Sequence, residues 1–408
     1  MKTGIRSHTI QTVAGTGKDG FCGDGGQAVT ACLNEPKAVM LDGSGHLFIA
    51  DSENHAVRKL DLKTGTITTV AGRPRVSSVT THSDSLPSES LEEPEDPLGG
   101  PDTASGQMFT QRTDLSGTIR YIVNGMGATD RFGGDEGPAD RAQLNFPTAV
   151  AVDQAGHLYI GDTLNHRVRR VDAATRRITT IAGTGRPGFR GDGGLAVQAS
   201  LNEPAALVVS GAGILYVADQ SNHLVRAIDL TTGLIRTIAG TGSAAYNGDG
   251  IAATEATLAG PSGLALAQDG TLFIADTFNG RIRAVDLFTG LIRTVVGDGN
   301  SYRYQGAAEP ASTSLARPTG IALDEEGNLF VSDSDNHMIR RWDRNTGRID
   351  RLVGLGVAGY DGDGGPPLEA SLNYPFGVAV DSAGDLFIAD TFNHRIRKIV
   401  MYRGGRRC

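Results

Sequence analysis

His55, His166, His223, His337 and His394 each follow an asparagine at the end of a short apolar run. Five imidazoles gathered on one face of a fold could ligate a metal. A sixth copy of the same string, however, reads Asn279-Gly280 where the others read Asn-His. Asn-Gly between two strands is a strong hairpin signal and asks for positive φ at both positions. His is among the few non-glycine residues enriched in that region. The spacing therefore predicts a two-residue turn rather than a ligand set.

With residues 54 and 55 as that turn, Asp51 faces Arg58. The pair recurs as Asp162/Arg169, Asp219/Arg226, Asp276/Arg283, Asp333/Arg340 and Asp390/Arg397. Opposite charges directly across a hairpin contribute roughly 0.2–1 kcal/mol each. A catalytic carboxylate is not needed six times, so this is architecture. A third motif is a GDGG-type loop with Asp24, Asp135, Asp192, Asp249 and Asp363, each nine residues before a leucine. Asp361-Gly362-Asp363 resembles a fragment of a calcium loop, but calcium takes six to eight oxygens. An Asp capping one short helical turn is the simpler expectation, since A-x-x-A-x-L follows. No resident cofactor and no metal site is expected, calcium being the one ion these loops suggest.

What positions these residues is a repeat. Alignment on the leucine of LNEP places units at Leu33, Leu144, Leu201, Leu258, Leu315 and Leu372, the last four steps being 57 residues each. The 111 residues between Leu33 and Leu144 span almost two periods, with a weak LEEP at Leu91. In the Leu144 unit, 148–153, 157–162, 167–172 and 177–183 read as four short strands joined by turns. Four such strands per unit, in a chain with 56 glycines, are the grammar of a propeller blade. Residues 10–15, IQTVAG, match the fourth strand of the other units, and the last unit stops after its third. The N-terminal strand is expected to complete the C-terminal blade and remove the free edges of an open array.

The string GVAVDSAGDLFIADTFNHRIRKI (377–399) resembles an NHL repeat, and Asn222-His223-Leu224 spells the triplet of the name. The resemblance covers 10–72 and 118–400 in six units. It implies a closed all-β propeller, most often six-bladed. The expectation is a single domain over 1–408 with seven repeat slots and six well-formed four-stranded blades, or alternatively six blades with an irregular insertion. The exceptional segment, 73–117, is rich in Ser, Thr and Pro and lacks the FIAD and NHRIR strings. It reads as a degenerate or disordered slot, whether an insertion, a divergent blade or a stretch read in a shifted frame.

Some enzymes similar to this family, such as the lyase that cleaves peptidyl-hydroxyglycine, carry zinc histidines just after the proline opening the innermost strand. The matching residues here are Lys37, Thr148, Ala205, Ser262, Thr319 and Phe376; none is His, so that zinc site is not carried over. A GxSxG elbow is absent. The formal charge of −8 argues against nucleic acid, and no apolar stretch reaches the ~18–20 residues of a membrane helix. The start lacks the apolar core of a secretory signal, so a cytoplasmic protein is expected, or a secreted one if the start is incomplete. Cys22 and Cys32 flank one loop and could pair if oxidised, free thiols being the expectation without an export signal.

The predicted function is a non-catalytic, monomeric binding scaffold that presents its inter-blade loops on one face to a protein or peptide, with no nucleic-acid or membrane partner. The alternative is a lyase or hydrolase at the mouth of the central channel. Loop residues that differ between units are the candidate binding residues: Phe21, Phe132, Phe189, Tyr246, Tyr302, Tyr304 and Tyr360. A competing reading packs these rings between neighbouring blades.

Overall fold

The structure is a computed structural model that describes residues 8–74, 109–113, 119–123, 132–300 and 312–401. It divides into two units, 75–129 and the remainder. In the smaller unit Phe109–Thr113 pairs antiparallel with Ile119–Val123, Phe109 opposite Val123. The rest of the irregular segment, 75–108 and 114–118, lies outside the described residues.

The larger unit contains six antiparallel blades. Blade 1 runs Pro36–Leu41, His46–Asp51, Ala56–Asp61 and Ile67–Ala71 from the innermost strand outwards. Blades 2 (147–182), 3 (204–239), 4 (261–296) and 5 (318–353) repeat that order. Blade 6 takes Pro375–Val380, Leu386–Asp390 and Arg395–Val400 from the end of the chain and its outer strand, Thr9–Ala14, from the beginning. In that closure Thr9 lies opposite Val400 and Ile10 opposite Ile399.

The ring closes on six blades, the alternative form of the expectation. Blades 1 and 2 are direct neighbours: Ser52 Oγ donates to the Pro147 carbonyl at 2.6 Å, and the Phe146 N–H to His55 Nδ1 at 3.0 Å. Almost two periods of sequence therefore span a single step of the ring.

Each blade is apolar on both faces, so its core lies between blades. Between blades 6 and 1, Val39, Leu47, Ile49 and Leu60 pack with Phe387 and Ala389. Between blades 1 and 2, Phe48, Ala50 and Val57 meet Val150, Leu158 and Ile160. The repeat leucines Leu33, Leu201, Leu258, Leu315 and Leu372 are fully buried, which is why they set the register of the sequence. The glycine ending each fourth strand is required. Gly72 has φ +88°, and a Cβ there would lie 2.3 Å from the carbonyl oxygen of His55.

Candidate binding site at the channel mouth

The turn between the second and third strands is not the two-residue form. In blade 2 it is a short 3₁₀ turn, Thr163–Asn165, closed by His166 in the left-handed region at φ 51°. His55, His223, His337 and His394 have φ between 52° and 56°, and Gly280 has 58°. The sequence located the left-handed position, but the asparagine before it keeps a negative φ and turns its amide inward. The longer loop also shifts the register. Asp51 lies opposite Ala56, and Arg58 opposite Ile49. The ion pair survives as a diagonal contact on one face of the sheet, within reach of a long side chain.

These pairs are buried rather than surface bridges. Arg58, Arg169, Arg226, Arg283 and Arg397 are completely inaccessible, and so are Asp51, Asp162, Asp219, Asp276, Asp333 and Asp390. In blade 3 the Asp219 Oδ1 accepts from the Asn202 N–H at 2.6 Å, and Oδ2 from Asn222 Nδ2 at 2.8 Å and Arg226 Nη1 at 3.4 Å. Burial pushes each of the six aspartates up to about 6, offset by these donors and the guanidinium. The GDGG aspartates do not cap the 3₁₀ turns that follow them. They supply a second carboxylate to the same arginine: Asp24 sits 3.1 Å from Arg58 and also accepts from Thr69 Oγ1 on the fourth strand. An arginine with five donors needs more than one acceptor when buried, and that demand explains the motif.

The histidines join blades. Each Nδ1 accepts from a backbone N–H of the following blade: Phe146 to His55, Glu203 to His166, Gly260 to His223, Tyr374 to His337 and Glu35 to His394, at 3.0–3.2 Å. Accepting at Nδ1 requires that nitrogen unprotonated, and burial lowers the pKa of His166, His223 and His337 in the same direction. Among the described residues no group of three or more His, Cys, Asp or Glu could hold a metal ion.

The loop aromatics stack on arginines of the blade that follows them. Phe21 lies 4.5 Å from the Arg58 guanidinium and Phe189 4.9 Å from Arg226. Phe132, Tyr246 and Tyr360 lie 3.7, 3.9 and 3.6 Å from Arg167, Arg281 and Arg395. Each ring belongs to its own blade joint, so the structure does not bring them into one pocket. Phe189, Tyr246 and Tyr360 nonetheless keep an exposed side. Tyr302 and Tyr304 lie outside the described residues. Cys22 and Cys32 form a disulfide rather than free thiols. They occupy positions that also bridge in other loops, as Arg190 and Ser200 do.

Three positions per blade surround the channel on the face of the 3₁₀ turns. They are the left-handed residue before the blade's first proline, the residue after that proline, and the middle of the turn. The three are tied together: the N–H of the turn residue donates to the carbonyl just before the left-handed residue, as Glu53 to Asn34 and Phe392 to Asn373. In an otherwise constant motif these columns vary freely. They read Glu35, Phe146, Glu203, Gly260, Arg317, Tyr374; then Lys37, Thr148, Ala205, Ser262, Thr319, Phe376; then Glu53, Leu164, Ser221, Phe278, Asp335, Phe392. Five are aromatic in a chain with 6% aromatics, and four acids face two bases.

The side chains at this mouth interlock over blades 5, 6 and 1. Lys37 Nζ is 3.2 Å from Glu35 and lies over Phe376 at 4.2 Å, Phe392 at 5.0 Å and Phe146 at 5.9 Å. Burial pulls its ammonium below the usual lysine range, against the attraction of Glu35. Tyr374 meets His337 and Phe392 edge-on at 4.5 and 5.1 Å. Arg317 pairs with Asp335 at 3.4 Å, and burial raises the Asp335 carboxyl. Sequence reasoning passed over these residues as binding candidates. Comparing the six units column by column would have found them.

Comparison with known proteins agrees with this architecture. The Teneurin NHL domain family matches residues 7–88 and 235–313, and the NHL repeat family matches 144–171, 315–342 and 372–399. Protein SUPPRESSOR OF QUENCHING 1, chloroplastic, from Arabidopsis thaliana is 32% identical over 290 residues, 68% of this chain and 27% of that protein. NHL repeat-containing protein 2 from Homo sapiens is 29% identical over 311 residues, 69% of this chain and 42% of that protein. This chain thus spans less than half the length of either relative. Among solved structures, a structural-genomics protein of unknown function from Bacteroides thetaiotaomicron superposes with a TM-score of 0.64 at 17% identity, covering 97% of this chain and 76% of that one. That likeness concerns the fold alone.

Proposed function

This chain belongs to the NHL-repeat β-propeller family, and on that premise we propose that the face carrying its 3₁₀ turns is a docking surface for a protein or peptide segment. The observation that carries the reading is the division of labour within the repeat. Leucine, aspartate, asparagine, histidine and arginine columns hold the ring, while the columns that vary converge on the mouth with five aromatic side chains. Aromatic rings supply large rigid contact area and are enriched where proteins bind. Around the mouth, the exposed sides of Phe189, Tyr246 and Tyr360, with Phe21 and Phe132, make an outer circle of contact. The reading requires no cofactor, and the ring acts as a monomer.

The test uses peptides selected from a random display library on the intact protein. Leu164→Ser combined with Phe278→Ser changes the mouth without touching a buried ion pair and should weaken the selected peptides at least tenfold. Phe288→Ser, at a strand turn where the ring is 98% exposed, should leave them unchanged. Peptides that bind the mouth variant as tightly as the parent would remove the proposal.

A further inference from the structure

We infer that the sector of the mouth formed by blades 2, 3 and 4 is a seat for a cationic side chain, lysine or arginine, of the bound segment; this rests on the docking reading above. The argument comes from two equivalent positions in one ring. Glu35 and Glu203 both occupy the left-handed position before a blade's first proline, with φ 47° and 57°. In blade 1 the residue two further on is Lys37, and its ammonium completes an arrangement of one carboxylate, at 3.2 Å, and three aromatic rings. In blade 3 the corresponding residue is Ala205, which carries no charge. The Glu203 carboxylate accepts from Ser221 Oγ at 2.6 Å, and no cation lies on it among the described residues.

Of the three rings around Lys37, Phe376 and Phe392 correspond to Thr148 and Leu164 beside blade 3, and only the third has an aromatic replacement. In blade 1 the wall from the following blade is Phe146, a left-handed residue. Its counterpart beyond blade 3 is Gly260, which has no side chain. A Cβ on Gly260 would lie 2.4 Å from the Phe278 ring, so Phe278 fills the space that a side chain at position 260 would take. The Gly260 N–H is held by His223 of blade 3 as the Phe146 N–H is held by His55 of blade 1, so Phe278 borders blade 3 on the side on which Phe146 borders blade 1. Phe278 is 48% exposed, and Leu164 of blade 2 holds the repeat position that Phe392 holds beside Lys37. A carboxylate beside an accessible ring face attracts ammonium and guanidinium groups by charge and by the ring quadrupole together. Blade 1 provides that cation from its own chain, and blade 3 leaves the place to a partner. The excess of acids over bases around the mouth favours the same class of ligand.

The experiment measures binding of fluorescein-labelled Gly-Leu-Arg-Leu-Gly and of versions with Lys, citrulline or Glu at the centre, by fluorescence polarisation on the full chain. The Arg and Lys peptides should bind at least tenfold more tightly than the citrulline peptide, which has the shape of arginine without its charge. Glu203→Gln should abolish that preference. Ala205→Lys, which supplies the missing cation in cis, should abolish it as well, and Glu255→Gln on an exposed loop should not. Melting curves establish that each variant is folded. Equal binding of the Arg and citrulline peptides, a preference that survives Glu203→Gln, or no binding of any peptide would overturn the seat. If the peptides bind without regard to charge yet are weakened by Leu164→Ser with Phe278→Ser, the docking reading stands and only the seat falls. If that double variant also leaves binding unchanged, the docking reading falls with it.

Discussion

Replacing Arg226 by methionine tests whether the buried ion pairs hold the ring. The thioether chain fills most of the volume of the arginine stem but leaves Asp219 without its guanidinium. Removing one partner of a buried pair costs about 3–5 kcal/mol, because an uncompensated charge remains. The lower end applies here, since Asp219 keeps the Asn202 and Asn222 donors at 2.6 and 2.8 Å and can take up a proton. The sign of the pH dependence follows from linkage. Asp219 already sits at about 6 in the folded protein, against 3.8 for the free side chain. Loss of the guanidinium raises it further. A carboxyl whose folded pKa is raised contributes stability that is present below its unfolded pKa and lost as pH rises through its folded pKa. The variant should therefore be weakest relative to the parent near pH 7.5 and recover much of the difference at pH 5. Equilibrium denaturation followed by the single tryptophan, Trp342, which packs 6.4 Å from Phe273, and by circular dichroism measures both values. A loss below about 1 kcal/mol at pH 7.5, or a loss that is the same at pH 5, would refute the reasoning.

Three further outcomes are expected. His166→Asn keeps a residue tolerant of positive φ but removes the acceptor of the Glu203 N–H, and should cost about 1 kcal/mol in denaturation experiments. Because burial lowers the His166 pKa, the folded state prefers the neutral ring, so the histidine's contribution fades as pH falls below about 6.5 and the variant's deficit should be smaller at pH 5 than at pH 7.5; a deficit that grows on acidification contradicts the bond. Reducing Cys22–Cys32, which closes a loop with a sequence separation of 10, should lower stability by roughly 2–3 kcal/mol, and the Cys22→Ser/Cys32→Ser double variant should be insensitive to dithiothreitol. Deleting residues 1–14 removes the partner of Arg395–Val400, and light scattering should then show association through the bared strand edge; a monomer with an unchanged melting temperature would show that the pairing is dispensable.

The ring was legible in the sequence because each blade repeats the same local solution. Strand number, the leucine register, the left-handed position filled by His or Gly, and the identity of the Asp–Arg partners all follow from the recurrence of single columns. Two things were not legible. The Asp–Arg distance along the chain is compatible with a two-residue turn and with the 3₁₀ turn that exists, and only the second turns the asparagine amide onto the carboxylate. A short-range pattern also says nothing of burial, so the pairs read as charges directly across a hairpin with no sign that they are inaccessible. The mouth was missed for a related reason. Its residues are far apart in sequence and meet only when the ring closes, as Lys37 and Phe376 do. The loop aromatics stood out because they are adjacent to a motif, and that adjacency reflects stacking on Arg167, Arg281 and Arg395.

The pairing of Thr9–Ala14 with Arg395–Val400 sets a timetable for synthesis. Blades 1 to 5 can each pack on a neighbour as they leave the ribosome, but Thr9–Ala14 has no partner until Arg395–Val400 emerges. At roughly 5–20 residues per second, that interval is on the order of twenty seconds to over a minute. Throughout it the segment Thr-Ile-Gln-Thr-Val-Ala is an unpaired strand, and its two threonines and one glutamine among three apolar residues suit a stretch that must wait in water without finding another copy of itself.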